Sequence, residues 1–204
     1  MFTGIVQGTA RIAAASTTDG VLRLTLDLPT GLGRGLVPGA SVSVSGVCLT
    51  AVEIVEDRVQ FDVIDETLRR TTLGERTTGD LVDVERAASF GDEIGGHLIS
   101  GHIWGVGEVV EVAREGENTR VRIRPPASAR KYILEKGYIG LDGASLTIGQ
   151  VQPDGAFDVH LIPETLRLTT FDQARPGTRI NVEVDAQTQA VVDTVERVLA
   201  ARGV

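Results

Sequence analysis

A chain of 204 residues can form one large domain or two of ~100 residues, each able to bury a workable core. Its 28 acidic against 20 basic side chains give a formal charge of −8, which speaks against a nucleic-acid partner that a basic face would bind. Its one cysteine, Cys48, excludes an internal disulfide framework and a cysteine-rich zinc site, and suits a reducing compartment.

Met1 to Val6 lack the charged and apolar regions of a signal peptide, and no apolar run is long enough to cross a bilayer. The expectation is a soluble, cytoplasmic protein with no membrane partner. Downstream, Leu22, Leu24, Leu26 and Leu28 alternate with Arg23, Thr25 and Asp27, the period-2 signature of a half-buried strand. Pro29 to Val37 is a weak, glycine-rich helical candidate. Val42-Val44 and Val59-Phe61-Val63 read as further strands, and Glu66 opens a short helix with an acid in its first turn. Val121 and Ile123 alternate with Arg120, Arg122 and Arg124. Pro126 to Leu134 reads as a helix with proline in its first turn. Ile139-Leu141, Phe157-Val159-Leu161 and Ile180-Val182-Val184 are again strands, with a second short helix at Glu164. Asp185 is placed to cap a final helix from about Gln187 to Arg202, where Val191, Val195, Val198 and Leu199 form an apolar stripe.

The series repeats itself. At an offset of 97, Gly4-Ile5-Val6 meets Gly101-His102-Ile103, and Gly46-Val47-Cys48-Leu49-Thr50 meets Gly143-Ala144-Ser145-Leu146-Thr147. At an offset of 98, Ile64 to Glu85 meets Ile162 to Glu183, with ten of 22 positions identical, where chance gives about one or two. The unit is too long for a solenoid repeat, so each copy is expected to be a domain with its own core, 1–97 and 98–186, followed by a terminal helix at 187–204. Roughly six strands per copy suggests a small closed barrel.

Met-Phe-Thr-Gly-Ile-Val at 1–6, Gly-Val-Cys-Leu-Thr at 46–50, Gly95 to His102, Asp142 to Thr147 and His160 to Leu166 together resemble the riboflavin synthase family over essentially the whole chain. The resemblance implies an all-β chain of two tandem closed six-stranded Greek-key β-barrels, with short helices and a C-terminal amphipathic helix. It further implies a homotrimer in which each barrel binds one 6,7-dimethyl-8-ribityllumazine. Its reaction moves a four-carbon unit from one lumazine to the other, giving riboflavin and a ribitylamino-pyrimidinedione with no metal or redox cofactor. Whether such a chain associates with lumazine synthase is open. The alternative within the superfamily is a non-catalytic, antenna-type lumazine- or flavin-binding protein. A flavin reductase would need a nicotinamide domain, for which Gly91 to Gly101 provides no phosphate loop.

Carried over by position, the first repeat's ligand contacts are Gly4, Ile5, Val6, Cys48, Leu49, Thr50, Asp62, Val63, Ile64, Asp65, Glu66 and Thr67. Those of the second are Gly101, His102, Ile103, Lys136, Ser145, Leu146, Thr147, His160, Leu161, Ile162, Pro163, Glu164 and Thr165. Cys48, Thr50, Ser145, Thr147 and His102 are the catalytic candidates: each hydroxyl or thiol pair lies two apart on a strand and so shares a face. Because the lumazine 7-methyl group is acidic, modest proton transfer with good positioning suffices. His102 stands where the first repeat has Ile5, making the halves chemically unequal. Ser45 departs from the asparagine more frequent in the family, which bears on the first pocket. His97 and His102, five apart, fall on opposite strand faces, and a metal site is not expected.

Overall fold

The computed structural model describes residues 1–203; Val204, the last residue of the expected terminal segment, lies outside them. The first six strands are β1 (Gly8–Thr18), β2 (Val21–Asp27), β3 (Ser41–Val44), β4 (Val47–Val55), β5 (Arg58–Val63) and β6 (Leu81–Arg86). They close into a barrel in the order β1-β2-β5-β4-β3-β6. The second half gives β7 (Gly105–Glu115), β8 (Asn118–Arg124), β9 (Tyr138–Leu141), β10 (Ala144–Thr147), β11 (Phe157–Leu161) and β12 (Arg179–Val184). Their order, β10-β9-β12-β7-β8-β11, is the same cycle opened at one point. There β10 stops at Thr147, and the gap to β11 is bridged by Gly149 N–H to Asp158 O (2.7 Å), Asp158 N–H to Gln150 O (3.0 Å) and a Val151–Phe157 bridge. The second copy is therefore a six-stranded sheet rolled nearly shut rather than a continuous ladder.

Alternation explains the interiors. Leu22, Leu24 and Leu26 point inward from β2 against Val59, Phe61 and Val63 of β5, while Val121 and Ile123 meet Phe157, Val159 and Leu161. Each half has its own apolar cluster, and both barrels are filled with side chains, which leaves ligands only their outer faces. Each fully buried large side chain contributes roughly 1.5–3 kcal/mol. On the outside of the second barrel, Arg120 and Arg122 hold Glu111 and the buried Asp158 in one ion-pair network.

The helices divide. Asp65–Arg70 (α1) and Pro163–Leu168 (α2) carry Glu66 and Glu164 in their first turns, as expected. Ala186–Ala201 (α3) is capped by Asp185, which accepts from Thr188 N–H and Oγ1 at 2.8 and 2.7 Å. The segment from Pro126 makes only a 3-10 helix, Ala127–Tyr132, and Pro29–Val37 forms turns, with Gly31 and Gly35 at φ of +84° and +74° interrupting any helix. Helix α3 is tied to the second barrel by Lys131 to Asp193 and Glu196 and by Tyr132 OH to Asp193. Its face of Val191, Val195, Val198 and Leu199 stays exposed.

The two halves meet about a pseudo-two-fold axis. Phe2 and Ile99, 97 residues apart and fully buried, exchange backbone hydrogen bonds of 2.8 and 3.0 Å. The turns Ser45-Gly46 and Asp142-Gly143 have positive φ at both positions, the tight hairpin that suits their flanking strands. They also pack glycine against glycine: a Cβ on Gly46 would lie 2.7 Å from Gly143 N. Ser45 is thus an interface residue, fully buried, whose carbonyl accepts from Asn181 Nδ2 at 2.8 Å. The departure at this position bears on barrel docking, not on the first pocket.

At this interface Asn181 Oδ1 accepts the N–H of Thr72 (2.8 Å), and the equivalent Asp83 accepts that of Thr170 (2.7 Å). Burial raises the Asp83 carboxyl well above its ordinary value, with the charge of Asp142 adding to the effect; burial also lifts Asp142 to about 7. Groups whose pKa is raised on folding favour the native state when protonated and lose that contribution as pH rises towards the folded value. The thermal midpoint should therefore fall between about pH 5 and about pH 8. In Asp83→Asn that fall should be smaller, since the new amide can donate to the Asp142 carbonyl as Asn181 donates to Ser45. Equal slopes for the two proteins would rule Asp83 out as a source of the fall.

Candidate functional site

Two buried carboxylates position the leading segment of each repeat. Glu85, on β6, accepts from Thr3 N (2.6 Å), Thr3 Oγ1 (2.7 Å) and Gly4 N (3.0 Å). Glu183, on β12, accepts from Ser100 N (2.7 Å), Ser100 Oγ (2.7 Å) and Gly101 N (3.0 Å). Burial raises both carboxyl pKa values, against the opposing pull of these donors.

Held in this way, each segment crosses to the other barrel. Ser145 N–H donates to Gly4 O at 2.8 Å, and Cys48 N–H donates to Gly101 O at 3.0 Å. Val6 belongs to the core of the second half, and Ile103 packs on the first. Gly4 and Gly101 have φ of +75° and +81°, and a Cβ on either would come within 2.5 Å of the Cβ of Ser145 or Cys48. The expected grouping within repeats is therefore corrected: Gly4, Ile5 and Val6 serve the Ser145 site, while Gly101, His102 and Ile103 serve the Cys48 site. A repeat alone cannot reveal this, because crossing and non-crossing arrangements have the same sequence symmetry.

The Ser145 site is a cleft of about 160 Å³ lined by Gly4, Ile5, Ser145, Ile162, Glu164 and Thr165, with Val6, Ala144, Leu168 and Thr169 completing it. Thr147 is exposed on the same strand face beyond it, while Leu146 and Leu161 turn into the core. Lys136, His160 and Pro163 are exposed and do not line the cleft. In the other half, Thr50, Ile64, Asp65, Glu66 and His102 are exposed, and Thr67 is half-buried at the related position of α1. Leu49 and Val63 are core residues, and the Asp62 carboxylate is engaged by Arg23 at 3.0 Å.

His97 was missed as a binding candidate. Its Nδ1 lies 2.6 Å from Ser145 Oγ, its backbone N–H donates to the same oxygen at 3.1 Å, and its ring stacks on Tyr138 at 5.1 Å between centroids. Burial lowers the imidazole pKa, with Asp185 nearby opposing, so the ring is kept neutral and the serine hydroxyl hydrogen is free to point at Nδ1. The available signal was Gly95-Gly96 just before it: a Cβ on Gly96 would sit 2.3 Å from Thr3 O and 2.7 Å from Ser145 Cβ, a closeness that a mere linker does not need.

Comparison with known proteins agrees with this duplicated geometry. A lumazine binding domain model matches residues 3–87 and again 100–185. The riboflavin synthase of Escherichia coli is 52% identical over 203 residues, covering 99% of this chain and 95% of that protein. The riboflavin synthase of Chlamydia pneumoniae is 42% identical, covering 100% of this chain and 99% of its own. Among solved structures, LumP complexed with riboflavin superposes with a TM-score of 0.84 at 30% identity, covering 91% of this chain and 100% of that one. LumP complexed with 6,7-dimethyl-8-(1'-D-ribityl) lumazine gives 0.82 at 29%, covering 91% and 99%. This chain belongs to the riboflavin synthase family.

Proposed function

We propose that this protein catalyses the dismutation of two 6,7-dimethyl-8-ribityllumazine molecules into riboflavin and a ribitylamino-pyrimidinedione. The observation that carries this reading is the pair of related sites, each with its polar strand residues in place and each completed by the other repeat's leading segment. Residues 1–97 and 98–186 then act as two binding modules. A reaction between two copies of one compound gains most from orientation, for which intramolecular analogues reach ~7–11 kcal/mol.

In the second site Ser145 Oγ is the group placed to exchange a proton with the ligand, and His97 is its positioning residue and onward acceptor. Cys48 takes the related place in the first site, where His102 replaces Ile5 at the pocket's edge. The unequal pair gives the two bound molecules different surroundings, which suits donor and acceptor roles. Thr50 and Thr147, further along the same faces, serve to hold the ligand.

A cleft of about 160 Å³ is smaller than the ~300–1,000 Å³ usual for such ligands, so a second wall is needed. We assign that wall to a neighbouring subunit, in a homotrimer joined through the exposed stripe of α3. A cytoplasmic setting suits the lone Cys48, with no helix among the described residues long and apolar enough to cross a membrane.

Given the ribityl-lumazine alone, the purified protein should form the two products in equal amounts; tight binding without turnover would instead favour the antenna-type reading. Ser145→Ala and His97→Gln should each lower kcat by roughly 10²- to 10⁴-fold, the range of general acid–base contributions, with the double variant little worse than either. In wild type the acid limb of the rate profile should lie below the ordinary imidazole range, and it should vanish in His97→Gln. An unchanged profile would remove His97 from proton transfer. Truncation after Asp185 should yield smaller species that still bind ligand while turnover collapses; a monomer with normal turnover would refute the shared site.

A further inference from the structure

Beyond both lumazine sites, a third cavity of about 460 Å³ opens between the barrels, where Arg11, Arg76 and Arg175 converge with Thr170, Gln173 and Thr178. These arginines break the repeat. The equivalent positions are Glu108, Ala174 and Thr77, so duplication of a barrel accounts for none of them. Like some other arginines of the chain, none of the cavity's three forms an ion pair among the described residues, whereas Arg23, Arg58, Arg114, Arg120, Arg122 and Arg179 are matched with carboxylates. Arg11 Nη1 donates to Gly79 O at 2.9 Å, and Arg76 has its Nε buried with no hydrogen-bond partner.

The cavity also contains two acids, Asp80 and Asp142, against its three guanidinium groups, so its balance of charge stays positive. Asp80 directs Oδ2 to Thr77 N (2.8 Å) and Thr77 Oγ1 (3.3 Å). Asp142 is buried, accepts from Asn181 N at 2.8 Å, and holds its proton up to about 7, so below that pH it offers an anion a donor rather than a charge. Three guanidinium forks suit phosphate oxygens, and the adjoining threonine hydroxyls and glutamine amide suit hydroxyl groups.

From this convergence of unmatched arginines and hydroxyl-bearing side chains, we propose that the inter-barrel cavity is a binding site for a small phosphorylated polyol, separate from the lumazine sites. Thr170 lines the cavity and donates its N–H to Asp83 across the barrel interface. Occupancy therefore braces the docking of the two halves.

The test uses the full chain at low salt, titrated calorimetrically with ribose 5-phosphate, inorganic phosphate and ribose, with riboflavin present to occupy the lumazine sites. Ribose 5-phosphate should bind at least roughly tenfold more tightly than inorganic phosphate, ribose should not bind measurably, and the thermal midpoint should rise with occupancy. Arg175→Thr and Arg76→Ala, each introducing the residue that the other repeat carries there, should each weaken binding about tenfold or more. Lumazine turnover should be unchanged in the exposed Arg175→Thr, which guards against a general loss of structure. No binding of ribose 5-phosphate to wild type, or binding indifferent to Arg175→Thr, would overturn the proposal. Equal affinity for inorganic phosphate would overturn its polyol part.

Discussion

Glu85 and Glu183 bury their carboxylates at the ends of the last strand of each barrel, and each takes three hydrogen bonds from a chain segment that carries no regular structure of its own. Removing a carboxylate from water costs several kcal/mol, and charge-assisted hydrogen bonds of about 1.5–3 kcal/mol each are what offset it. The arrangement holds because the donors are satisfied together: Thr3 N, Thr3 Oγ1 and Gly4 N on one side, Ser100 N, Ser100 Oγ and Gly101 N on the other. Remove the clamp and the leading segments have no reason to cross. Without the crossing, neither Ser145 nor Cys48 has the glycine backbone that closes its site.

The same crossing makes the two barrels one structure. Phe2 and Ile99 pair on the pseudo-two-fold axis, Gly46 meets Gly143 on it, and Asp83 and Asn181 reach over it for the N–H groups of Thr170 and Thr72. Duplication supplied the backbone symmetry, and later differences use it: Asp83 against Asn181, Ser45 against Asp142, Ile5 against His102, Cys48 against Ser145. The first two differences put titratable groups into the interface. The others make the two proposed ligand sites chemically unequal, which suits donor and acceptor roles for two identical molecules.

Much of this was legible in the sequence because it is local. Period-2 alternation in Leu22–Leu28 and Val121–Ile123 fixes which face is buried, and an aspartate before an apolar helical stripe is a cap. The offset of 97 shows duplication directly. What was not legible depends on contacts between the copies. Repeat symmetry does not say whether Gly4 covers Cys48 or Ser145, and Ser45 resembles a pocket residue until the hairpin turn is seen buried against Asn181. In the sequence His97 is weighed only as a metal ligand, because its partner, Ser145, is 48 residues away. The short 3-10 helix at Ala127–Tyr132 and the turns at Pro29–Val37 show the limit of reading helices from a leading proline; in the latter, Gly31 and Gly35 at positive φ turn the chain instead.

The central claim is that each lumazine site is built from one barrel and the opposite repeat's leading segment. The most direct measurement is ligand stoichiometry in Gly4→Ala, where the added methyl meets Ser145, read together with protection of the chain's lone thiol, Cys48, from alkylation. If the segments cross, this variant loses the Ser145 site alone: wild type binds two lumazines per chain, the variant binds one, and that one still protects Cys48. Loss of Cys48 protection with the Ser145 site intact would contradict the account and place each segment with its own barrel.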